Sequence, residues 1–384
     1  MKIIFYLPYT IKVYGGETKW LIEVSRRLSD LGHEIVILGL DKGSYIVRNE
    51  VKLPSKVEYL ELKSIKPFKG FPIPSHKEQH KLISMLNDAN IIYTFIFHLP
   101  NEILLTLKSR SIKVPLIGGI HNLPLFKWYM KIYLALSRDL IKKVFNAFHV
   151  LNRYSHNLLV TYKVPPNRVY MIPNGVDTDV FNLKQDVAVI NSDYFEIIFV
   201  SRFTYEKGID TLYKIITDLN ERYYSLRRNI LFKIAGTGPL KHYIKKLKSK
   251  YHNVLYLGYL DKKELIAEYN GSHVILITSR IENMPLTLLE ASACGLPAVA
   301  SAVPGVVDVI KTLGYGILVQ PENIEGYVKG ILYFYNIWNK NPEKYYDTRV
   351  NIRERIIANY DWNIIIDRIE NMFKQVLLDR EHKF

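Results

Sequence analysis

The sequence predicts an α/β protein built from two doubly wound parallel sheets. Short apolar runs alternate with longer amphipathic stretches from the first residue to about Val319, the pattern of strands joined by crossover helices. The alternation falls into two series of similar length. A chain of 384 residues is also too long for one ordinary core and comfortable for two domains.

In the first series, strands are expected at Lys2–Leu7, Glu34–Leu40, Val57–Leu60, Ile91–Phe95, Pro115–Gly118, Ala147–Leu151 and Val169–Ile172. Helical spacing marks Thr18–Leu31, Lys77–Leu86 and Lys131–Val144 between them. The second series has strands at Phe195–Val200, Leu231–Ala235, Val254–Tyr256, Val274–Ile277, Ala298–Ser301 and Gly316–Val319. Its helices are Gly208–Arg222, Pro239–Tyr251, Lys262–Tyr269 and Leu286–Cys294. Helical periodicity lapses over Gly175–Tyr194, where turn residues dominate. The domains are therefore drawn as 1–177 and 195–384. The chain is mostly helical after Pro321, with the last helix free to return to the first domain.

Composition is that of a folded globular chain, 48% hydrophobic and 23% charged. The single cysteine, Cys294, rules out an internal disulfide and suits a reducing compartment. The first residues read as a strand running into a Gly turn, without a signal peptide's apolar run and cleavage site. No stretch approaches 18 uninterrupted apolar residues, so no membrane span is expected, and the location expected is cytoplasmic. The net charge of +15 is uneven: residues 1–180 carry +11 and the remainder +4. Such a field favours an anionic partner, although a lysine-rich, heat-adapted composition gives the same excess.

The most specific segment is RIENMPLTLLEASACGLPAVAS, residues 280–301. Pro285 suits a helix's first turn, which puts Glu282 just before the helix and Glu290 within it. The N–H groups of Asn283, Met284, Leu286 and Thr287 then precede the helix's own bonding and are available to an anion. Flanking carboxylates add acceptors for sugar hydroxyls, so the arrangement suits a sugar phosphate. An ordinary amphipathic helix with a solvated Glu282 has the same spacing.

This segment resembles the signature of glycosyltransferase family 4: E-x7-E, then a Gly-Leu-Pro-x-Val-Ala-Ser stretch ending at Ser301. Further segments match in order: Gly15-Gly16 with the helix after it, IPNGVDTDVF at 172–181, VSRFTYEKGID at 200–210, IAGTGPL at 234–240 and YDW at 360–362. The resemblance covers nearly the whole chain. It implies the GT-B fold, two Rossmann-like domains facing a central cleft with C-terminal helices. The implied activity is retaining transfer of a hexose-type sugar from a nucleoside-diphosphate sugar to an acceptor hydroxyl.

Carried over residue by residue, the resemblance implies that Arg202 and Lys207 hold the donor pyrophosphate and stabilise the leaving group. Glu290 would accept from the ribose hydroxyls and Glu282 from the transferred sugar. The backbone from Asn283 through Met284 to Leu286 would surround that sugar, with Thr287 near a phosphate oxygen. Gly16, lacking a side chain, would let the first helix's N-terminus approach the phosphates. His121 is assigned to the transferred sugar, and His98, also at a strand end, is its rival.

Asp177 and Asp179 form a D-x-D, elsewhere a metal site, but they lie inside the family's linker pattern. No catalytic metal and no cofactor are expected. IAGTGPL is a Gly turn near the base site rather than a dinucleotide fingerprint. The chain departs from the family after Ser301, where Ala302-Val303-Pro304-Gly305 replaces paired glycines. No Asp or Glu falls where a double displacement would need a nucleophile. The resemblance implies same-face substitution, with the departing phosphate taking the acceptor proton and domain closure excluding water.

Two other readings stay open: a nucleotide-sugar epimerase of GT-B architecture, and a basic nucleic-acid-binding protein. The second lacks any recognisable nucleic-acid module, and no nucleic-acid partner is expected. The partners expected are a nucleotide-sugar donor and a glycan or lipid-linked acceptor. KSIKPFKGFPIPSHK at 63–77 is too proline-rich for a helix and is read as a loop. KWYMKIYLALSRDLIKKVF at 127–145 has apolar residues near helical spacing. Basic segments with aromatics bind anionic membrane surfaces, so a peripheral place on the cytoplasmic membrane face, through the first domain, is the expectation for a lipid-linked acceptor. Packing of Trp128 to Leu140 on the sheet is the alternative.

Overall fold

The computed structural model describes residues 1–12, 15–41, 53–68, 71–96, 98–122, 142–184 and 192–381. The chain divides into two compact units. The first comprises Met1–Pro173 and Ile365–Phe384, the second Asn174–Ile364.

The first unit is a seven-stranded sheet of β1 (Lys2–Tyr6), β2 (Glu34–Leu40), β3 (Val57–Leu62), β6 (Ile91–Phe95), β7 (Leu116–Ile120), β8 (Ala147–Val150) and β9 (Val169–Met171). Its order is β3-β2-β1-β6-β7-β8-β9, and each neighbouring pair runs parallel. The inner strands are nearly continuous apolar runs because helices cover both faces of such a sheet, while the edge strand β3, VEYLEL, exposes both of its glutamates. The short β4 (Ser64–Phe68) and β5 (Phe71–Pro74) form a separate antiparallel hairpin. The loop expected at 63–77 is thus corrected to a hairpin leading into the helix His76–Asn87. A two-stranded ribbon is all edge, so its prolines forfeit few ladder hydrogen bonds.

The second unit is a six-stranded sheet of β10 (Phe195–Val200), β11 (Ile230–Ala235), β12 (Val254–Gly258), β13 (Val274–Ile277), β14 (Ala298–Ser301) and β15 (Ile317–Val319). Its order, β12-β11-β10-β13-β14-β15, is the 3-2-1-4-5-6 order of a dinucleotide-type sheet, and all of its pairs are parallel. Strand order reverses between β10 and β13, and in the first unit between β1 and β6. In such sheets ligands gather beyond the carboxyl ends of the strands at that reversal.

Helices start where the chemistry favours it. Asp261 and Glu264 make a reciprocal capping box before Lys262–Asn270, and Asn152 caps Arg153–Thr161 through the Ser155 N–H. Pro304–Leu313 is also a helix, begun by a proline at its first position although its valines favour a strand. The chain ends in the helices Ile324–Lys340, Pro342–Tyr360 and Trp362–Glu381. From the last of these, Phe373 packs against Phe5 and Tyr93 in the first unit's core. The segment 127–141 lies outside the described residues.

Two distant sequence segments become neighbours within the second unit. Val176 bridges Asp361, donating to the Tyr360 carbonyl and accepting from Trp362. The Thr178 hydroxyl donates to the Asp361 carboxylate. Arg353 donates to the carbonyls of Thr178, Phe181 and Ala293. The YDW at 360–362 therefore anchors the NGVDTDVF segment.

Candidate functional site

In the second unit, Arg202 and Lys207 follow β10 and Glu282 follows β13, so the two strands flanking the reversal supply all three. Lys207 Nζ lies 2.5 Å from Glu282 Oε1. Ser279 donates to the same oxygen at 2.8 Å. Arg202 is exposed, and among the described residues no ion pair engages it.

The two loops are locked together behind this pair. Thr278 Oγ1 donates to the Lys207 and Gly208 carbonyls. Arg280 forms a bidentate pair with Asp210 at 2.8 and 2.7 Å and donates to the Tyr205 carbonyl. Its guanidinium lies 3.9 Å from the centre of the Tyr205 ring. Hydrogen bonding from Arg280 holds the Asp210 carboxyl below the usual carboxylate range. Planar, bidentate contacts fix direction as well as distance, so the Lys207–Glu282 geometry rests on a rigid support.

Behind β10, the GTGPL turn meets the same loop. Phe203 donates to the Thr237 carbonyl and accepts from Leu240. Asn283 and Met284 are buried, while Leu286 and Thr287 are half-buried. Leu288 and Leu289 both donate to the Pro285 carbonyl, so the amides of Leu286 and Thr287 precede the helix's own bonds. Pro285 caps the helix Leu286–Ala293 from outside, one position earlier than the first-turn place expected for it. Gly305, from the segment that departs from the family, passes so close that a Cβ there would sit 1.8 Å from the Asn283 carbonyl oxygen. One glycine thus suffices for the approach. Half-buried Glu290 lies on the helix near Tyr269. Burial first, and then the charge of Glu290, hold the Tyr269 phenol well above its usual range.

Within the D-x-D, Asp177 Oδ1 accepts from the Val180 N–H at 3.2 Å. Among the described residues, no three His, Cys, Asp or Glu side chains gather as metal ligands.

In the first unit, Gly16 opens the helix Gly16–Asp30 after β1, and a Cβ there would meet nothing within 4 Å. His121 follows β7 and is 7% exposed. Its Nε2 lies 2.8 Å from the Tyr93 hydroxyl. Burial pushes the imidazole well below its usual pKa, helped by the neighbouring His149. The rival, His98, sits at the N-cap position of the helix Leu99–Leu107 without a side-chain capping bond; burial lowers it to about 4, and its ring lies 5.2 Å from that of Tyr9.

Sequence reasoning missed Tyr93, His149 and Glu17. Tyr93 and His149 interrupt apolar strands, a signal that was available. Glu17, one residue past Gly16, accepts from Tyr9 and Asn122 at 2.6 Å each, and burial pushes it up to about 7. A carboxyl titrating near neutrality can hold or release a proton at working pH.

Comparison with known proteins follows the same division of the chain. Residues 14–180 match a family profile described as Glycosyltransferase Family 4. Residues 181–355 match one described as Glycosyl transferases group 1. A human subunit of phosphatidylinositol N-acetylglucosaminyltransferase is 24% identical, over 95% of this chain and 74% of its own length. An uncharacterized glycosyltransferase of Methanocaldococcus jannaschii is 28% identical, over 56% of this chain and only 55% of its own length. Sucrose-phosphate synthase of Thermosynechococcus elongatus superposes at a TM-score of 0.77 with 18% identity, over 99% of this chain and 100% of that one. HepE of Anabaena, solved with UDP and glucose, superposes at 0.73 with 15% identity, over 97% and 99%. No helix among the described residues is long and apolar enough to cross a membrane. Matched along both halves and sharing its fold over nearly its whole length, the chain belongs to glycosyltransferase family 4, with the GT-B fold of two Rossmann-like units.

Proposed function

We propose that this glycosyltransferase moves a hexose-type sugar from a nucleoside-diphosphate sugar to an acceptor hydroxyl, with retention at the anomeric carbon. The observation that carries this reading is the Lys207–Glu282 pair beyond the carboxyl ends of β10 and β13, with exposed Arg202 on the same stretch after β10 as Lys207. Two cations offset the charge that grows on a departing diphosphate. Glu282 is held by Lys207 and Ser279 and has lone pairs left for sugar hydroxyls. Glu290 takes the ribose, and the amides of Leu286 and Thr287 take phosphate or sugar oxygens. Gly16 leaves the first helix's N-terminus open to phosphate, and His121 is assigned to the transferred sugar.

No side chain is asked to act as a covalent nucleophile. The departing phosphate receives the acceptor proton, and no metal takes part. A lipid-linked acceptor is the favoured class, because a relative aligned over nearly the whole chain is named for phosphatidylinositol. The first unit would then meet an anionic membrane surface from the cytoplasmic side.

The test is a panel of UDP-, GDP- and ADP-sugars incubated in excess EDTA, with products read by anomeric NMR. Turnover of one donor class with retained configuration is expected. Inverted products, or activity seen only after manganese is restored, would overturn the mechanism.

A further inference from the structure

A chain of hydrogen bonds runs through the core of the first unit and ends at His121. It can be followed atom by atom from its buried end. His149 is fully buried in β8, and its Nε2 lies 2.8 Å from the Ile172 carbonyl oxygen. A carbonyl can only accept, so Nε2 of His149 carries the hydrogen. Burial lowers this imidazole to about 4, so at neutral pH its Nδ1 is a bare lone pair. The Tyr93 hydroxyl lies 2.7 Å from that Nδ1 and must donate to it. Its one hydrogen is then spent, and toward His121 Nε2, 2.8 Å away, the phenol oxygen can only accept. His121 Nε2 therefore carries a hydrogen, and in the neutral ring its Nδ1 does not.

We propose that Tyr93 and His149 are positioning residues that hold His121 as the neutral Nε2–H tautomer, presenting Nδ1 as a hydrogen-bond acceptor to a substrate hydroxyl. The polarity is set by a backbone carbonyl, which cannot reverse, and successive bonds polarise one another in the same sense. Packing holds the rings in register. Trp20 lies 4.4 Å from the His121 ring and Phe95 stands edge-on at 5.0 Å. Glycine at position 119 is required, because a Cβ there would lie 2.1 Å from the Tyr93 oxygen. Among the described residues nothing engages His121 Nδ1, which leaves it for a ligand. A lone-pair nitrogen discriminates: it accepts from a hydroxyl and gains nothing from an ether or a deoxy position.

The choice of a hydroxyl as partner rests on the assignment of His121 to the transferred sugar; the tautomer does not. The experiment separates the two. The full chain is labelled with nitrogen-15 histidine, and its long-range proton–nitrogen spectrum is recorded at pH 7. His121→Asn assigns the signals. Wild type is expected to show His121 neutral with the hydrogen on Nε2. Tyr93→Phe should yield a mixture of tautomers and a roughly tenfold lower kcat toward the best sugar of the panel, the scale of one neutral hydrogen bond. His149→Asn keeps an acceptor oxygen near the Nδ1 position and should preserve the tautomer, whereas His149→Leu should not. An Nδ1–H or cationic His121 in wild type, or an unchanged tautomer in Tyr93→Phe, overturns the proposal. A tautomer that behaves as expected beside full turnover in His121→Asn overturns only the hydroxyl partner, and with it the His121 assignment.

Discussion

The second unit builds its site from charge and the first builds its site from neutral groups. Lys207 with Glu282 and Arg280 with Asp210 form salt bridges at loop ends in the second unit, and Arg202 stands exposed on the loop after β10. In the first, His121, Tyr93 and His149 are buried and uncharged. Partly exposed charges remain available to offset the diphosphate of the proposed donor. A buried neutral chain instead fixes the direction of each donor and acceptor. The proposed reaction, which needs an anion bound and a sugar recognised, has use for each.

That contrast predicts where substitution hurts most. Glu282→Ala, Arg202→Ala and Lys207→Ala should each cut turnover at least about a hundredfold, the scale of one transition-state contact in a preorganised site. Because Lys207 and Glu282 share a bond, their double variant should lose less than the product of the two single losses. Thermal midpoints should move little, since Arg202 is exposed and the pair is only partly buried. Steady-state kinetics check this. A double Arg202/Lys207 variant with near-normal activity would remove the phosphate assignment.

Surface charge sharpens the comparison further, because residues 1–180 hold +11 of the net +15. Changing Lys63, Lys66 and Lys69 to Glu should weaken co-sedimentation with anionic liposomes by at least about tenfold at moderate salt, each lysine near a membrane contributing about 1 kcal/mol. Equal binding by both proteins, or none by wild type, would make a soluble acceptor the better reading.

The sequence was most legible where the chemistry is local. Strands β2, β6, β10, β13 and β14 lie at their expected bounds, since a strand buried on both faces is a continuous apolar run. The E-x7-E segment could be read because Glu282, the helix start and Glu290 lie within one stretch of chain. The hydrogen-bond chain of the first unit was not readable. Its members, at 93, 121, 149 and 172, lie in or just past the neighbouring strands β6, β7, β8 and β9, and only parallel register brings them side by side. The strand expected to stop at Gly118 runs on through Gly119 to Ile120, and position 119 is kept small for a tyrosine that sequence spacing cannot place. Pro304–Leu313 was missed because its valines favour a strand, while its helical start depends on Val303 adopting an extended conformation.

The smallest expected effect is on stability against pH, and it divides the first unit's own groups. His149 is lowered by burial to about 4 against an ordinary value of 6.5. Between pH 6.5 and about 4 the unfolded chain therefore binds the extra proton, and stability is lost as pH falls through that window. Glu17 works in the opposite direction. Burial raises it from 4.5 to about 7, so between those values the folded chain holds the extra proton and stability is lost as pH rises. Over their shared range, about pH 4.5 to 6.5, the two slopes oppose each other, and the wild-type contribution from this pair should be nearly flat. Glu17→Gln removes one slope without changing side-chain size. Its thermal midpoint should exceed wild type's by a few degrees near pH 8, and that advantage should vanish by pH 4.5. A difference between the two proteins that stays constant from pH 4.5 to 8 would show that Glu17 titrates as an ordinary carboxyl.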